Sequence, residues 1–465
     1  MSVKFILITL LAILFFGFII GRARSIKVAT ETKTKSGRYN LHSRPYYYGY
    51  MIVLWAGIPS LLILLLWTGF DSSIITSLMT SDLSTETQAL SKDERSLVIN
   101  KIISYAELGK ADANASDPKL QAAAHYLSLK NISEMAKTVV VFALAILGII
   151  VGLRFVKPEF RARNQVEKII RWIMIACASI AIFTTFGIVL SVLFEALQFF
   201  KSVHLTEFLF GTHWNPQTAI REDQVGGSGS FGSIPLFTGT LLISAIALTI
   251  AVPTGLMTAI YLSEYASQRL RSIAKPVLEI LAGIPTVVYG FFAALTVAPF
   301  IRETGEAIGL HPSSESALAA GIVMGIMIIP FVSSLSDDVI SAVPQAMRDG
   351  SYAMGATQSE TIRKVVIPAA LPGIVGGVLL AASRAIGETM IVVMAAGLAA
   401  NLTANPLEAV TTVTVQIVTL LTGDQEFDSP KTLAAFALGL GLFTITLILN
   451  VISLHVVRKY REQYE

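Results

Sequence analysis

The sequence carries little charge and almost no cysteine. Asp, Glu, Lys and Arg make up 14% of its 465 residues, whereas soluble domains carry about 25%. Cys177 is the single cysteine, so no intramolecular disulfide can form, and its place in an apolar run favours a small packed residue. Hydrophobic residues reach 53% and the mean hydropathy is +0.66. These values exclude an ordinary soluble domain and indicate a polytopic membrane protein.

Motifs for nucleotide and metal chemistry are also absent. No G-x-x-x-x-G-K-[ST] segment occurs, and the nearest Gly-Lys pair, Gly109-Lys110, lacks the upstream glycine and the following Ser or Thr. The six histidines never form H-x-x-x-H or H-E-x-x-H, the spacings typical of zinc enzymes. Basic and aromatic residues do not alternate as in nucleic-acid-binding segments. We therefore expect no catalysis, cofactor, metal or nucleic acid.

Long apolar runs dominate the rest of the chain. A hydrocarbon core of roughly 30 Å requires about 20 helical residues, since each adds about 1.5 Å. Backbone polar groups in lipid must be paired within their own span, so these runs predict an all-α integral membrane protein. Nine runs come near the required length, at about residues 3–20, 48–68, 137–153, 172–194, 236–260, 278–300, 317–335, 373–397 and 432–456.

Basic residues are distributed unevenly between the loops. Segments 21–46 and 154–171 are rich in Lys and Arg, whereas 195–235, 301–316 and 398–430 contain few. Loops rich in Lys and Arg remain in the cytoplasm. Nine alternating spans then place the N-terminus outside and the C-terminus in the cytoplasm.

A polar loop precedes the eighth run. Residues 336–372 are too polar to span a membrane but contain helix-forming stretches, which predicts a cytoplasmic platform of short helices. The alternative is an ordinary solvated loop on the membrane surface. Within it, "DGSYAMGATQSETIRKVVIPAALPGI" resembles the EAA loop of the membrane subunits of bacterial ABC importers. In that family the loop docks on a separate ATPase subunit, so the missing nucleotide motif is expected.

The resemblance assigns ATPase coupling to particular residues. In place of the E-A-A pattern, this chain has Asp, Gly and Ser. The Asp keeps the negative charge of the Glu, and the Gly and Ser are small like the two Ala, although they make the first turn less strongly helical. We also expect the glycine that follows to leave room for close docking. The residues implied are Asp349, Gly350, Ser351, Gly355 and Pro368.

Four further segments indicate which kind of ABC importer subunit the chain resembles. "FLFGTHWNP", "FGSIP", "KPVLEILAGIPTVVYGFFA" and "AASRAIGETMIVVMAAG" are similar to the C-type permease (PstC) of phosphate-specific ABC importers. The resemblance covers about residues 172–460, with six of the nine spans. It implies a bacterial inner-membrane importer of inorganic phosphate. The implied partners are a second, A-type permease, two ATPase subunits and an extracytoplasmic phosphate-binding protein.

The residues before this permease core form an N-terminal extension that the motifs do not reach. Segment 1–69 contains two spans and a basic loop, and segment 137–171 contains a third span and another basic loop. Between them, 70–136 is polar with Ala-rich helix-forming stretches, which predicts a small extracytoplasmic helical domain. The core, 172–460, contains the coupling loop 336–372.

An arginine and a glutamate lie inside the eighth run. An ionised side chain at mid-membrane costs about 2.5–3.5 kcal/mol on insertion scales, so Arg384 and Glu388 should face protein or water. Positions four apart share one face of a continuous helix, and Gly387 leaves space beside them, which predicts a pair. The pair could be a purely structural salt bridge. The resemblance instead implies a translocation path, where Arg384 binds an oxyanion and Glu388 neutralises it when the path is empty.

Two other functions stay open at this point. An ion-coupled secondary transporter could use Glu388 as its membrane carboxylate and would need no ATPase. A membrane sensor built on a permease core would not transport at all. The platform in 336–372 favours the ATP-driven importer.

Overall fold

The computed structural model describes residues 3–31, 41–81, 92–109, 117–218, 228–422 and 429–461. Within these ranges, nine helical segments are long and apolar enough to cross a membrane. The predicted all-α membrane fold with about nine spans is therefore confirmed. Besides these spans, the described residues form several shorter helices and one two-stranded hairpin.

The elements follow one another along the chain as follows. The first part contains α1 (Val3–Glu31), α2 (Pro45–Ser81), α3 (Lys92–Glu107), α4 (Pro118–Arg154), α5 (Ala162–Ser202), α6 (Leu205–Phe210), β1 (Trp214–Thr218) and β2 (Ser228–Phe231). The second contains α7 (Ile234–Ile260), α8 (Gln268–Ala282), α9 (Thr286–Phe292), α10 (Ala298–Ala307), α11 (Ala317–Ala342), α12 (Gln345–Ala353), α13 (Gln358–Thr361), α14 (Ile367–Ile386), α15 (Met390–Ala395), α16 (Val413–Leu421) and α17 (Pro430–Arg461). π-Helical turns extend or join these helices at Tyr261–Tyr265, Ala293–Val297 and Ile362–Val366.

The chain forms two compact units, Met1–Phe183 and Thr184–Glu465. In the first unit, the predicted boundaries at 69 and 136 fall inside α2 and α4, which continue without a break. Segment 70–136 is therefore built partly from extensions of helices that contain the membrane runs. Its extracytoplasmic position stays a prediction.

The core of the first unit lies between α1, α2 and α4. Ile6, Leu10 and Leu14 are buried and recur every four residues, which places them on one face of α1. They pack with Ala56 of α2 and Ala145 of α4. Small residues on the facing helices let these spans approach closely.

The core of the second unit is centred on the pair α7 and α11. Ala247 and Ala251 of α7 are fully buried with Val323 of α11. At Gly255 a Cβ atom would lie 2.8 Å from Cβ of Val332, so no larger residue fits there without displacement. The contact is a small-residue helix crossing, as expected between membrane spans.

Two predicted spans are interrupted. The run 278–300 is not one continuous helix, because α8 ends at Ala282 and α9 begins at Thr286, directly after Pro285. A proline disfavours helical geometry at the residue before it and lacks an N–H for the preceding turn. The run 373–397 is also broken, because α14 ends at Ile386 and a short α15 begins at Met390.

The strands β1 and β2 form an antiparallel hairpin, with Trp214 opposite Phe231. The indole N–H of Trp214 donates to Oε1 of Gln416 at 3.0 Å, and both side chains are buried. The segments "FLFGTHWNP" and "FGSIP" thus meet in this hairpin. Residues 219–227, between the strands, lie outside the described part of the chain.

Candidate functional site

A platform of short helices follows α11. Helix α12 ends at Ala353, and α13 begins after Thr357, whose hydroxyl and backbone N–H exchange hydrogen bonds with Glu360 in a capping box. The hydroxyl groups of Ser351 and Thr361 lie 2.8 Å apart and join the two helices. Local hydrogen bonds therefore define a platform at 345–361, inside the predicted segment 336–372, whose two ends instead belong to α11 and α14.

The residues predicted for coupling lie on or next to the platform. Asp349, Gly350 and Ser351 lie in α12, and the Asp349 carboxylate accepts a hydrogen bond from Nε2 of Gln345 at 3.0 Å. Pro368 is the second residue of α14, a position where its missing N–H does no harm. Asp349 and Gly350 are exposed. The structure thus brings four of the five onto the platform and places Pro368 where the next helix begins.

Gly355 forms the turn between α12 and α13. Its φ is +83°, in the left-handed region that is costly for residues with a Cβ atom. A Cβ atom at this position would meet nothing within 4 Å in the chain itself. The sequence suggested that Gly355 is needed for its small volume at a docking surface, and the structure adds a backbone requirement.

Arg348 attaches the platform to two spans and was missed by sequence reasoning. Its Nη2 donates to Oε1 of Glu264 at 2.8 Å and to the carbonyl of Ile340 at 2.9 Å, and its Nη1 donates to the carbonyl of Val343. The side chains of Arg348 and Glu264 are 10% and 9% exposed. Nε2 of Gln358 also donates to the backbone carbonyl of Glu264 at 2.7 Å. The platform is therefore bonded to the end of α11 and to the π-helical end of α7.

A cavity of about 230 Å³ is lined by residues of α8, α11 and α14. Arg384, in the last turn of α14, lies on its wall, with the guanidinium carbon 5.6 Å from the ring centre of Phe331. Ser333 and Ser334 also line it. Among the described residues, Arg384 has no ion-pair partner within 4.0 Å. It lies on a cavity wall that combines apolar side chains with charged and hydroxyl-bearing ones.

Asp337, which also lines this cavity, binds two further cations. Its side chain is 5% exposed, and its carboxylate accepts hydrogen bonds from Nη2 of Arg271 at 2.9 Å and Nζ of Lys275 at 2.8 Å. The hydrogen bond to Asp337 raises the pKa of Lys275 above its ordinary value, against the opposing effect of burial, so Lys275 stays protonated. In the sequence, only the position of Asp337 just after the apolar run 317–335 pointed to this cluster.

Glu388 does not pair with Arg384, so the predicted pairing is wrong. Helix α14 ends at Ile386, where the N–H of Gly387 bonds to the carbonyl of Ser383. Glu388, four residues after Arg384, therefore lies beyond the helix and does not share a helix face with Arg384. The Glu388 carboxylate instead accepts from the backbone N–H of Met390 at 3.1 Å. Its backbone carbonyl accepts from the hydroxyl of Thr414 at 2.9 Å. Glu388 thus stabilises the break between α14 and α15.

No group of three or more His, Cys, Asp or Glu side chains that could hold a metal ion occurs in the described ranges.

Comparison with known proteins gives two family matches. Residues 7–184 match the family described as "Phosphate ATP-binding cassette transporter", and residues 251–462 match "Binding-protein-dependent transport system inner membrane component". The first match covers almost all of the N-terminal extension, which the sequence motifs did not explain.

Three curated relatives cover the permease core. A probable ABC transporter permease protein of Bacillus subtilis, YqgH, is 33% identical over 291 residues, which are 62% of this chain and 90% of the relative. The phosphate transport system permease protein PstC of Mesorhizobium japonicum is 34% identical over 54% of this chain and 78% of the relative. PstC 1 of Mycobacterium tuberculosis is 34% identical over 54% of this chain and 81% of the relative.

The nine-span fold, the platform and these matches define a membrane-spanning permease subunit of an ABC importer, which works with other subunits. Such a subunit is a transport protein and not an enzyme. Within that class, the chain belongs to the PstC family of phosphate transport permeases and carries an N-terminal extension.

Proposed function

We propose that this chain imports inorganic phosphate across the bacterial inner membrane as the C-type subunit of an ATP-driven complex. A second, A-type permease completes the translocation path, two ATPase subunits drive the cycle, and an extracytoplasmic binding protein delivers phosphate. The N-terminus lies outside the cell and the C-terminus in the cytoplasm. The names and sequence similarity of the PstC relatives support the substrate and the partners.

The position of Arg384 gives the main structural support for this function. Its guanidinium lies at a cavity wall without an ion-pair partner in the described part of the chain. A guanidinium presents planar, paired donors that match the oxygens of an oxyanion. Arg384 therefore binds phosphate during passage. Glu388 adjoins it at the helix break, where it completes the path and positions the end of α14.

The platform couples this path to ATP hydrolysis. Asp349 and Gly350 are exposed on α12, and Tyr352 and Met354 expose 41% and 88% of their surface. An exposed apolar patch of this kind beside a carboxylate is typical of a protein contact. Asp349, Gly350, Ser351 and Gly355 form the surface that the ATPase subunit contacts, and Pro368 lies near the start of α14, the helix that receives the motion.

The test is uptake of radiolabelled phosphate into proteoliposomes containing the complete importer, with ATP inside the vesicles and binding protein outside. Arg384→Gln should lower uptake about a hundredfold, since hydrogen bonds to a charged group contribute about 1.5–3 kcal/mol each. Arg302→Gln is the matched control, because Arg302 is an exposed arginine in α10, away from the cavity. Near-normal uptake by a fully assembled Arg384→Gln complex would refute the role of Arg384.

A further inference from the structure

The carboxylate of Asp337 occupies a place that suits an anion. It is buried, and two cations from a different helix bind it: Arg271 contacts both of its oxygens at 2.9 and 3.2 Å, and Lys275 contacts one at 2.8 Å. A buried carboxylate without such partners would be strongly unfavourable. The cluster is therefore a cationic cradle with a carboxylate already bound in it.

The cations of this cradle are more accessible than the carboxylate. Arg271 and Lys275 expose 32% and 35% of their side chains, against 5% for Asp337. Lys275 and Arg384 line the same cavity. An anion entering the cavity can thus reach Lys275 and Arg384 while Asp337 remains on its helix.

Two further acidic side chains and two hydroxyl groups lie at or near the cavity. Glu279 lines it and is exposed, and Asp338 lies 3.6 Å from Lys275 with 65% of its side chain exposed. Water screens both acids, so they neutralise the cations less than Asp337 does. Ser333 and Ser334 offer hydroxyl groups to the same space.

The location of the cluster points to the exit of the path. Asp337 lies five residues before the end of α11 at Ala342, and the platform begins at Gln345. The cradle is therefore on the platform side of the membrane, and by the proposed orientation this side faces the cytoplasm.

We propose that Arg271, Lys275 and Arg384 form a release site for a tetrahedral oxyanion, in which Asp337 is the resident ligand that the anion displaces. This inference rests on the proposed phosphate import. A divalent phosphate has more charge and more acceptor atoms than one carboxylate, so it competes for the two cations. When the carboxylate returns to Arg271 and Lys275, it promotes departure of the anion. Asp337 is a positioning residue that sets the affinity of the exit, and it does not bind phosphate itself.

The test measures equilibrium binding of radiolabelled inorganic phosphate to the complete importer in lipid nanodiscs, without binding protein. Asp337→Asn should tighten phosphate binding about tenfold, because the two cations lose their resident charge, and should slow uptake. Lys275→Gln should weaken phosphate binding about tenfold and should also remove the gain of Asp337→Asn when the two are combined. Asp338→Asn, the exposed neighbour on the same helix, should bind phosphate like the wild type.

The outcomes separate this inference from the proposed function. Wild-type phosphate affinity in both Asp337→Asn and Lys275→Gln would overturn the release site, even if Arg384→Gln still abolished uptake. Tighter binding in Asp337→Asn with normal uptake by Arg384→Gln would support a release site at Arg271 and Lys275 and refute the proposed role of Arg384. If Asp337→Asn fails to assemble with its partner subunits, Lys275→Gln alone decides, since its side chain is partly exposed and its loss leaves Arg271 paired with Asp337.

Discussion

At the scale of single residues, burial distinguishes charges that organise the molecule from charges that lie on its surface. The pair Arg348 and Glu264 is about 90% buried, whereas Lys364 and Glu360 lie 3.7 Å apart and are exposed. Surface pairs contribute little to stability because water screens them. A buried charge that loses its partner is far more costly.

We predict that Arg348→Gln destabilises the purified chain by about 3–5 kcal/mol, because it leaves the Glu264 carboxylate buried without its cation. Thermal unfolding of the detergent-purified protein measures the effect, with Lys364→Gln as the surface control. The double variant Glu264→Gln, Arg348→Gln should recover part of the loss, since no unpaired charge remains. Purely additive losses in the double variant would show that the two residues are not coupled.

Among the secondary-structure elements, the platform contains two glycines that differ in backbone conformation. Gly350 lies inside α12 and Gly355 lies in the turn after it, and a Cβ atom at either position would meet nothing within 4 Å. They differ only in backbone conformation, because Gly355 alone has a positive φ, at +83°. Substitutions at these two glycines therefore compare a helical with a left-handed backbone conformation, with the same free space around the new side chain.

Gly355→Ala should destabilise the chain by about 1–2 kcal/mol, the cost of a left-handed conformation for a residue with Cβ. Gly350→Ala should stabilise α12 by up to about 1 kcal/mol, since alanine favours the helix interior. Chemical unfolding of the purified chain in detergent checks both values. Equal effects of the two substitutions would show that the turn conformation at Gly355 has no energetic consequence.

For the whole molecule, the proposed orientation can be tested by labelling loops on opposite sides of the membrane. Cys177 is the only cysteine, so Cys177→Ser gives a cysteine-free background for labelling. Arg163, at the start of α5, and Glu306, near the end of α10, are both exposed and fall in loops of opposite predicted side.

In this background, an impermeant maleimide should label Glu306→Cys but not Arg163→Cys in intact cells with a permeabilised outer membrane. The physical reason for this expectation is that basic loops, such as the one around Arg163, tend to be retained in the cytoplasm. Disrupting the inner membrane should expose both positions and serves as the control. Labelling of Arg163→Cys alone in intact cells would reverse the proposed orientation.

The sequence predicted individual site residues only where they follow a local pattern. The residues Asp349 and Gly355 were predicted because their spacing along the chain carries the resemblance, and their coupling role stays a prediction. The pairing of Arg384 with Glu388 was predicted from helical spacing and failed because the helix ends at Ile386. A period of four residues predicts neighbours only while the helix continues.

The amino-acid sequence alone predicts an all-α membrane protein with about nine spans, and the described residues contain nine helical segments that are long and apolar enough to be spans. Lipid offers no hydrogen bonds to the backbone, so the length and hydropathy of each run are sufficient to define a span. Only the tertiary structure decided which charges meet. Asp337 lies 66 residues from Arg271 and 62 from Lys275, and Arg348 lies 84 residues from Glu264. Such pairs depend on which helix faces pack together, because that packing removes water and leaves each charge only the partner opposite it.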